Sequence, residues 1–475
     1  MKLVIWTWFV LLCGFSGILY AAPPPNIVVI MPDDMGWGDV AAHGNPLIKT
    51  PSLDRLYSQS LRFTDFHVSP TCAPTRSALM TGRHEFKNGV THTINERERM
   101  TLKATTLPQL LKTVGYSTGI FGKWHLGDEE SYQPNNRGFD EVYIHGCGGI
   151  GQSYPGSCGD FPKNKYFNPL LRHNAKIVKT DGYCTDLFFA QATKWIEERG
   201  KSDKPFFAYI TPNAPHGPLV SPGGKFDEMY AGKEIDGKKL QKDDVAYYAM
   251  ISNIDENIGK LLAKLDEWKL AENTLVVFLC DNGGTHTKLY NGGYRGGKVT
   301  PYHGGTHTSS FWRWPAGIQG GKDCAAVTAH LDILPTLAEI TGFKIEGDVT
   351  KQVEGRSMLP LLRDPSSAWP ERTLVTHVGR WPKGKSEENK FAHCSIRNTR
   401  FRLVNNKELY DLTSDRGETT NVIEQHPEVV TQLRTAYDQW WKETVPLMVN
   451  EDVVPPKYNP YHVWYWKEFG GGPKE

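Results

Sequence analysis

Three features that would place a chain in a broad class at once are missing from this sequence. Net charge is nearly absent: 475 residues carry 54 Lys and Arg against 53 Asp and Glu, a formal charge of +1, which excludes a general polyanion-binding surface and predicts no nucleic-acid partner. No segment after Tyr20 is apolar enough to span a bilayer, so we expect no stable membrane span. No low-complexity run occurs, and 46 Gly, 31 Pro and 14 Trp describe a loop-rich, ordered protein of enzyme size.

Cysteine is also scarce, and none of the eight cysteines has the spacing of a zinc site. The N-terminus combines a basic start, an apolar run from Leu3 to Tyr20 and a small-residue end, which is typical of a signal peptide. We therefore predict a leader over residues 1–21 and an exported protein, periplasmic or extracellular, with a single N-terminal anchor as the alternative. Removal of the leader would take Cys13 with it and leave seven cysteines, an odd number for an exported chain.

Apolar, β-branched runs alternate with helical patterns over most of the chain. The runs that predict strands are Asn26–Ile30, Ser117–Gly122, Pro205–Ile210 and Thr274–Cys280. This alternation predicts an α/β fold with a large, mainly parallel sheet flanked by helices. Beyond about Glu371 the runs become short and turn-punctuated, which indicates a smaller C-terminal antiparallel-sheet subdomain. We assign residues 22–368 to a catalytic α/β domain and residues 369–475 to a C-terminal α+β subdomain.

Polar residues follow each of the four predicted strands. In chain order they are Asp33, Asp34, Lys123, His125, His216, Asp281 and Asn282. Because ligands of such sheets bind outside the carboxyl ends of the strands, we expect these side chains to converge on one crevice.

The carboxylates and the amide of this set suit a hard cation, Ca²⁺ or Mg²⁺, better than zinc. Taken one at a time, an Asp-Asp or Asp-Asn-Gly-Gly sequence is more often a turn or a helix cap, and a lone loop His or Lys is more often solvent-exposed. Lys298, in a glycine loop, adds a further cation that could hold an oxyanion. Only the joint placement of these residues points to a site.

A single cysteine stands out in the stretch "SPTCAPTRSALMTGRH". Cys72 lies between a threonine and a proline turn, and Arg76 and Arg83 follow at short range. From the residues alone, Cys72 could be a disulfide partner, a metal ligand or a nucleophile.

The motifs together resemble those of the type I, formylglycine-dependent sulfatases, in the arylsulfatase branch of the alkaline-phosphatase-like superfamily. The motifs that carry the resemblance are "PDDMGWGD", "CAPTRSALMTGR", "GKWHLG", "APHGP", "CDNGG" and "GGK", in that order along the chain. The second contains the Cys-x-Pro-x-Arg signature followed by Thr-Gly-Arg. The resemblance extends from Asn26 to Asn421, nearly the whole mature chain.

The resemblance implies that a formylglycine-generating enzyme oxidises Cys72 to Cα-formylglycine, whose hydrate attacks the sulfur of the ester. It implies a Ca²⁺ ion held by Asp33, Asp34, the modified Cys72, Asp281 and Asn282. Arg76 and Lys123 would stabilise the diol, and Lys123 and Lys298 would hold sulfate oxygens. His216 would bind sulfate and, with Lys298, protonate the leaving oxygen. His125 would take a proton from the second hydroxyl of the diol.

We therefore expect a calcium-dependent sulfatase that hydrolyses sulfate monoesters, on a sulfated carbohydrate rather than on a free aryl sulfate. One alternative is a phosphate or phosphonate ester hydrolase of the same superfamily. The other is a non-catalytic glycan-binding relative in which Cys72 is never modified.

Two parts of the sequence depart from the resemblance. His303 and His307 stand where many relatives have Glu and Arg, which leaves the packing there open. The insertion Gly146–Asn174 is rich in glycine, aromatic and basic residues, and we interpret it either as a substrate-recognition loop using Arg172 and His173 or as a structural loop pinned by a disulfide. Its candidates for that disulfide are Cys147, Cys158 and the nearby Cys184, while Cys280 is predicted to be a buried thiol.

Overall fold

A computed structural model of the protein describes residues 23–473. The leader predicted for residues 1–21 lies outside that range. Among residues 23–473, no helix combines the length and the apolar character that crossing a membrane requires.

The described chain folds into strands and helices that alternate in its larger part. The strands are β1 (Asn26–Ile30), β2 (Leu61–Phe63), β3 (Phe66–His67), β4 (Ser117–Lys123), β5 (Glu141–His145), β6 (Leu170–His173), β7 (Lys176–Lys179), β8 (Phe206–Thr211), β9 (Glu234–Ile235), β10 (Lys238–Lys239), β11 (Thr274–Leu279), β12 (Ser310–Arg313), β13 (Lys322–Cys324), β14 (Thr328–Ala329), β15 (Leu374–His377), β16 (Cys394–Arg397), β17 (Phe401–Val404) and β18 (Glu408–Asp411). The helices are α1 (Pro51–Gln59), α2 (Cys72–Thr81), α3 (Leu107–Lys112), α4 (Cys184–Arg199), α5 (Lys225–Glu228), α6 (Lys242–Glu267), α7 (His303–Thr306), α8 (Ile333–Thr341), α9 (Asp348–Gln352), α10 (Leu359–Arg363), α11 (Pro427–Thr444) and α12 (Pro460–Phe469).

Ten strands form one large sheet in the order β13-β2-β12-β11-β1-β8-β4-β5-β6-β7. The neighbours among its five central strands, β11, β1, β8, β4 and β5, all pair in parallel. The predicted α/β class with a mainly parallel sheet is confirmed, and the four predicted strands are four of these five. Antiparallel pairs occur toward both edges, at β12 and at β6 and β7.

Strand β1 shows why the central strands could be predicted from the sequence. Val28 and Ile30 face a core layer that includes helices α4 and α6, whereas Ile27 and Val29 face the layer on the other side of the sheet. A parallel strand covered on both faces needs apolar side chains at every position, which produces the continuous run seen in the sequence.

The C-terminal part forms a separate antiparallel sheet in the order β15-β16-β17-β18, and helix α11 covers one face. This sheet is tied to the larger part by an ion pair in which the Arg397 guanidinium contacts both carboxylate oxygens of Asp65 at 3.0 Å. The small antiparallel subdomain is confirmed, and the proposed boundary between residues 368 and 369 stays a prediction.

Candidate active site

Cys72 is the first residue of helix α2, with Thr71 before it as the N-cap. The proline turn expected after Cys72 is therefore wrong. Pro74 lies in the first helical turn, where a backbone N–H has no partner inside the helix, so its missing N–H does no harm. Cys72 is 2% exposed, and its helix is buried along its whole length.

The carboxylates that follow β1 and β11 meet the predicted cations in buried ion pairs. The pairs are Asp33 Oδ2 with Lys123 Nζ at 2.6 Å, Asp34 Oδ1 with Lys298 Nζ at 2.5 Å, and Asp281 Oδ2 with Arg76 Nη2 at 2.8 Å. The ends of β1, β4 and β11 and the start of α2 thus converge, as the strand-end rule predicts for a parallel sheet.

Hydrogen bonds fix the two acidic turns against each other. The Asp34 N–H donates to Asp281 Oδ1 at 3.1 Å, and Asn282 Nδ2 donates to Asp34 Oδ1 at 3.0 Å. Asp34 adopts a left-handed backbone conformation with φ of 69°, which Asp tolerates better than most residues. The two turns therefore form one preassembled unit.

The oxygen atoms of this unit fit a hard divalent cation. Asp33 Oδ1 and Asn282 Oδ1 are buried and accept no hydrogen bond within the described residues. One carboxylate oxygen each from Asp33 and Asp281 lies within 4.8 Å of the Cys72 sulfur and of the other. Such oxygen donors suit Ca²⁺, and unpaired buried acceptors are costly unless an ion or water satisfies them.

Burial dominates the electrostatics of the carboxylates. Burial raises the pKa of Asp33 to about 6 despite the neighbouring Lys123 ammonium. Burial, together with the negative charge of Asp33, raises the pKa of Asp281 to about 6. A divalent cation bound between them would stabilise both charged forms.

Neighbouring charges also shift the pKa values of Lys298 and Cys72. Burial disfavours the charged amine of Lys298, but the carboxylate of Asp34 outweighs it and raises the Lys298 pKa above its usual value. Burial raises the pKa of the Cys72 thiol, but the charges of Lys123 and Lys298 reverse that effect and lower it overall. The position of residue 72 therefore favours an anionic group.

His125 is held with one ring nitrogen free. Its Nε2–H donates to the Thr93 carbonyl at 2.7 Å, while Nδ1 is buried and has no partner among residues 23–473. Burial and the charge of Lys123 hold the pKa of His125 well below its usual value. The ring is therefore neutral, with an Nδ1 lone pair ready to accept a proton.

His216 lies on the turn that follows β8. Its Nδ1–H donates to the Gly217 carbonyl at 2.8 Å, and Nε2 lies 3.7 Å from Asp34 Oδ2. Burial lowers the pKa of His216, and the charge of Asp34 acts in the opposite direction. The structure thus brings together all ten residues that the sequence singled out.

Comparison with known proteins decides the family. The sulfatase family model matches residues 25–343, and a model described as N-sulphoglucosamine sulphohydrolase, C-terminal, matches residues 298–443. This chain belongs to the sulfatase family. It is therefore a sulfuric ester hydrolase by descent.

Individual relatives that match this chain are also named as sulfatases. The sulfatase is 31% identical to the N-acetylgalactosamine-6-sulfatase of Mus musculus over 363 residues, which is 72% of this chain and 67% of that protein. It is 32% identical to the arylsulfatase G of Rattus norvegicus over 408 residues, covering 73% of this chain and 74% of the relative. The crystal structure of Ps i-CgsB in complex with k-i-k-neocarrahexaose superposes with a TM-score of 0.77 at 28% identity, covering 88% of this chain and 92% of the other.

The insertion 146–174 of the sulfatase forms one wall of the site. Cys147 and Cys158 form a disulfide within it, whereas Cys184 is a buried free thiol at the start of α4. The Tyr166 hydroxyl donates to the His216 carbonyl and accepts from Asn213 Nδ2. The disulfide predicted for this insertion is confirmed, and the loop also contacts the turn that carries His216.

Arg172 and His173, offered as substrate-binding residues of that loop, are engaged elsewhere. Arg172 is 6% exposed, lies 4.2 Å from the ring of Trp464 and pairs with Glu130. His173 Nε2 is 2.7 Å from a carboxylate oxygen of Glu141. These contacts hold both side chains at the sheet edge, and their role in substrate recognition stays a prediction.

Two adjacent glycines of the loop press on His125 and His216. A Cβ at Gly148 would lie 2.6 Å from His125 Cε1, and one at Gly149 would lie 3.1 Å from His216 Nδ1. Glycine at position 148 therefore lets the loop backbone press against His125.

We expect Gly148→Ala to lower kcat/KM roughly 100-fold, because the added methyl group must displace the His125 ring and misplacement of about 1 Å is enough for such a loss. The melting temperature should stay close to that of the unmodified sulfatase. Steady-state kinetics with an aryl sulfate measure the effect. Ser153→Ala, an exposed position in the same loop, is the control, and equal activity of the two variants would contradict the assigned contact.

One polar residue at the site was missed. His145 ends β5 beside Lys123 in the parallel register; its Nδ1–H donates to the Gly146 carbonyl at 2.8 Å, and its buried Nε2 has no partner in the described part of the chain. Burial, followed by the charge of Lys123, holds its pKa well below the usual value. The strand-end rule would have found His145 if the short run "EVYI" had been recognised as a strand.

Proposed function

We propose that this sulfatase hydrolyses sulfate monoesters on a carbohydrate, using formylglycine formed from Cys72 and a bound calcium ion. The observation that carries the proposal is the position of Cys72: its sulfur lies within 4.8 Å of carboxylate oxygens of Asp33 and Asp281. Arg76 and Lys123, which pair with these carboxylates, line the same crevice. A nucleophile between a cation site and fixed cations is the equipment that sulfate transfer needs, because charge builds up on the sulfate and leaving oxygens.

Formylglycine at position 72 would supply an attacking hydroxyl from its hydrated aldehyde. Its formation requires an enzyme that acts before the chain folds, because Cys72 is 2% exposed and helical in the folded protein. We propose a formylglycine-generating enzyme as this maturation partner, with Pro74 and Arg76 as part of the sequence it reads.

Calcium, held by Asp33, Asp34, Asp281, Asn282 and the modified residue 72, would supply positive charge for the nucleophile and for the sulfate group. The cations of the chain add to that charge. Lys123 and Lys298 bind sulfate oxygens, and Arg76, fixed by Asp281 and by the Lys123 carbonyl at 3.0 Å, orients residue 72.

The two histidines handle protons at opposite sides of the reaction. His125 accepts a proton at Nδ1, the nitrogen left free by its hydrogen bond to Thr93. His216 would deliver a proton to the leaving oxygen from Nε2 in its doubly protonated form, with Nδ1–H still bonded to the Gly217 carbonyl, and the Asp34 carboxylate that Nε2 faces favours that form. Lys298, charged beside Asp34, assists that step.

A groove beside His216 supports a sugar substrate. It has a volume of about 280 Å³ and is lined by Gln152, Asn164, Lys165, Tyr166 and Phe167 among other residues. Phe167 is 43% exposed, which is unusual for a large apolar ring and suits stacking on a sugar. The named relatives include an N-acetylgalactosamine-6-sulfatase and a structure bound to a neocarrahexaose, which agree with this class of substrate.

We also propose that the protein is exported to the periplasm or the extracellular space. The apolar N-terminus supports export, and the Cys147–Cys158 disulfide supports an oxidising compartment.

Side-by-side kinetics on an aryl sulfate and the matching aryl phosphate test the proposed reaction. We expect kcat/KM to be at least about 100-fold higher for the sulfate, because it carries one negative charge whereas an aryl phosphate carries close to two at pH 7, and the buried carboxylates of Asp33, Asp34 and Asp281 oppose the extra charge. A preference for phosphate would support the phosphate-hydrolase alternative. Release of neither anion by protein with converted residue 72 would refute the enzyme. A screen of sulfated mono- and oligosaccharides for released sulfate then identifies the sugar.

A further inference from the structure

A second cluster of metal-binding side chains lies behind the active site and takes no part in the proposed reaction. Asp65, His67, His303 and His307 are all buried, with His303 2% and His307 1% exposed. The ring centroids of His303 and His307 are 4.6 Å apart, and each lies within 5.7 Å of that of His67. Three imidazoles and a carboxylate share one interior space.

Three ring nitrogens of this cluster lack partners. Both nitrogens of His303 and the Nδ1 of His307 are buried and make no hydrogen bond within residues 23–473. His307 Nε2–H donates to the Thr64 carbonyl at 3.0 Å, so the free Nδ1 carries a lone pair. A buried imidazole with no partner on either nitrogen is rare, because no hydrogen bond offsets the free-energy cost of removing its nitrogens from water.

Ligand atoms of three of these residues lie close together. One carboxylate oxygen of Asp65 and one nitrogen each of His303 and His307 lie within 4.8 Å of one another. Asp65 is held in place from outside the cluster, by Arg397 at 3.0 Å and by His67 Nε2 at 2.7 Å. Hydrogen bonds of this kind from a surrounding shell are what orients metal-ligating carboxylates.

We propose that Asp65, His303 and His307 bind a transition-metal cation of the zinc type, at a site separate from the calcium ligands. Two imidazoles and one carboxylate make a common protein ligand set for Zn²⁺, whereas Ca²⁺ takes oxygen ligands. The spacing of His303 and His307, four residues apart across the short helix α7, places both rings on one side of it.

The surrounding charges allow such an ion. Arg397 is paired with Asp65, and the buried Arg402 is paired with Glu418 at 3.1 Å, so each of these two arginines has a carboxylate partner. Burial, with the neighbouring His307 and Arg402, holds the pKa of His303 well below its usual value, so its ring stays neutral and able to bind a metal at pH 7.

The ion would stabilise the active site without touching substrate. The Gly305 carbonyl in α7 accepts from the Gly283 N–H at 3.0 Å, next to Asn282, and the Thr306 carbonyl accepts from the Val68 N–H at 2.8 Å, on the segment that leads to Cys72. A cation on α7 and Asp65 therefore ties together the two segments that carry the nucleophile and a calcium ligand.

Metal analysis tests the site on the full-length protein. The protein is loaded with ZnCl₂ in excess calcium, dialysed against calcium buffer and analysed by mass spectrometry of the elements. We expect about one zinc per chain and a higher melting temperature than for the zinc-free protein. His303→Gln and His307→Gln should each lose the zinc and that shift, while calcium content is kept. His426→Gln, a surface histidine outside both clusters, is the matched control and should keep the zinc.

Wild-type protein that takes up no zinc, or glutamine variants that retain it, would overturn the site. Should either variant fail to fold, cobalt binding to the wild type decides: intense visible bands of a four-coordinate, nitrogen-ligated ion, displaced by zinc in the presence of calcium, support the site, and their absence refutes it. The zinc content does not depend on sulfate hydrolysis, so this result and the test of the proposed function fail independently.

Discussion

Replacement of Cys72 by alanine should abolish sulfate release while the fold is kept. Alanine cannot be converted to formylglycine, so the site loses its nucleophile, and we expect kcat/KM to fall by about 10⁴-fold or more. The side chain removed is small, so the melting temperature should change by about 3 °C or less. Aryl sulfate kinetics and thermal unfolding measure both effects.

The matched control is Cys324→Ala, which removes another buried free thiol at the edge of the large sheet and should leave activity intact. The unsubstituted protein supplies a second check. When it is produced with a formylglycine-generating enzyme, the peptide containing residue 72 should be about eighteen mass units lighter than the thiol form. Full activity in protein whose Cys72 remains a thiol would contradict the proposed nucleophile, and residual activity of Cys72→Ala near the wild-type level would do the same.

The elements that could be predicted are those whose own residues show a characteristic apolar pattern. Central strands covered on both faces, such as β1 and β8, need unbroken apolar runs, and helix α6 needs an apolar stripe at helical spacing. Short strands near the sheet edge have no such signature: β2 (Leu61–Phe63) is three residues long and is held by pairing with β12 on one side and β13 on the other. Helix α2 was not predicted because Pro74 was interpreted as a turn signal, although proline also fits the first turn of a helix.

The site could be predicted as a list of residues but not as a geometry. The strand-end rule and the motifs found the ten residues because parallel strands bring their ends to one edge. The proton on His125 could not be placed, because its position follows from a carbonyl at Thr93, far from the motif. The surroundings of Arg172 could not be predicted for a similar reason: the Trp464 ring that packs on it comes almost three hundred residues later in the chain.

Removal of one carboxylate charge at the proposed calcium site should lower activity almost as much as loss of the proposed nucleophile. Asp281→Asn keeps the size of the side chain and an acceptor oxygen, but it removes a negative charge from the ligand set and from the pair with Arg76. A metal contributes several kcal/mol of charge stabilisation in such reactions, and losing about 4 kcal/mol corresponds to a fall in kcat/KM of roughly 10³-fold. Kinetics across a calcium titration should show a weaker apparent affinity for the ion as well as the lower rate.

Chelation of the wild-type enzyme should produce the same loss, and added calcium should reverse it. Glu267→Gln, which alters an exposed carboxylate paired with Lys264, is the control and should behave as wild type. The Asp281 variant also leaves the buried Arg76 guanidinium with Asp33 as its nearest carboxylate, at 3.9 Å, which could destabilise the fold. Circular dichroism therefore checks that the variant is still folded, so that a lower rate can be attributed to the loss of calcium. Full-rate hydrolysis of sulfate esters by a preparation shown to be free of calcium would refute the calcium assignment. The unpaired buried oxygens of Asp33 and Asn282 would then need another explanation.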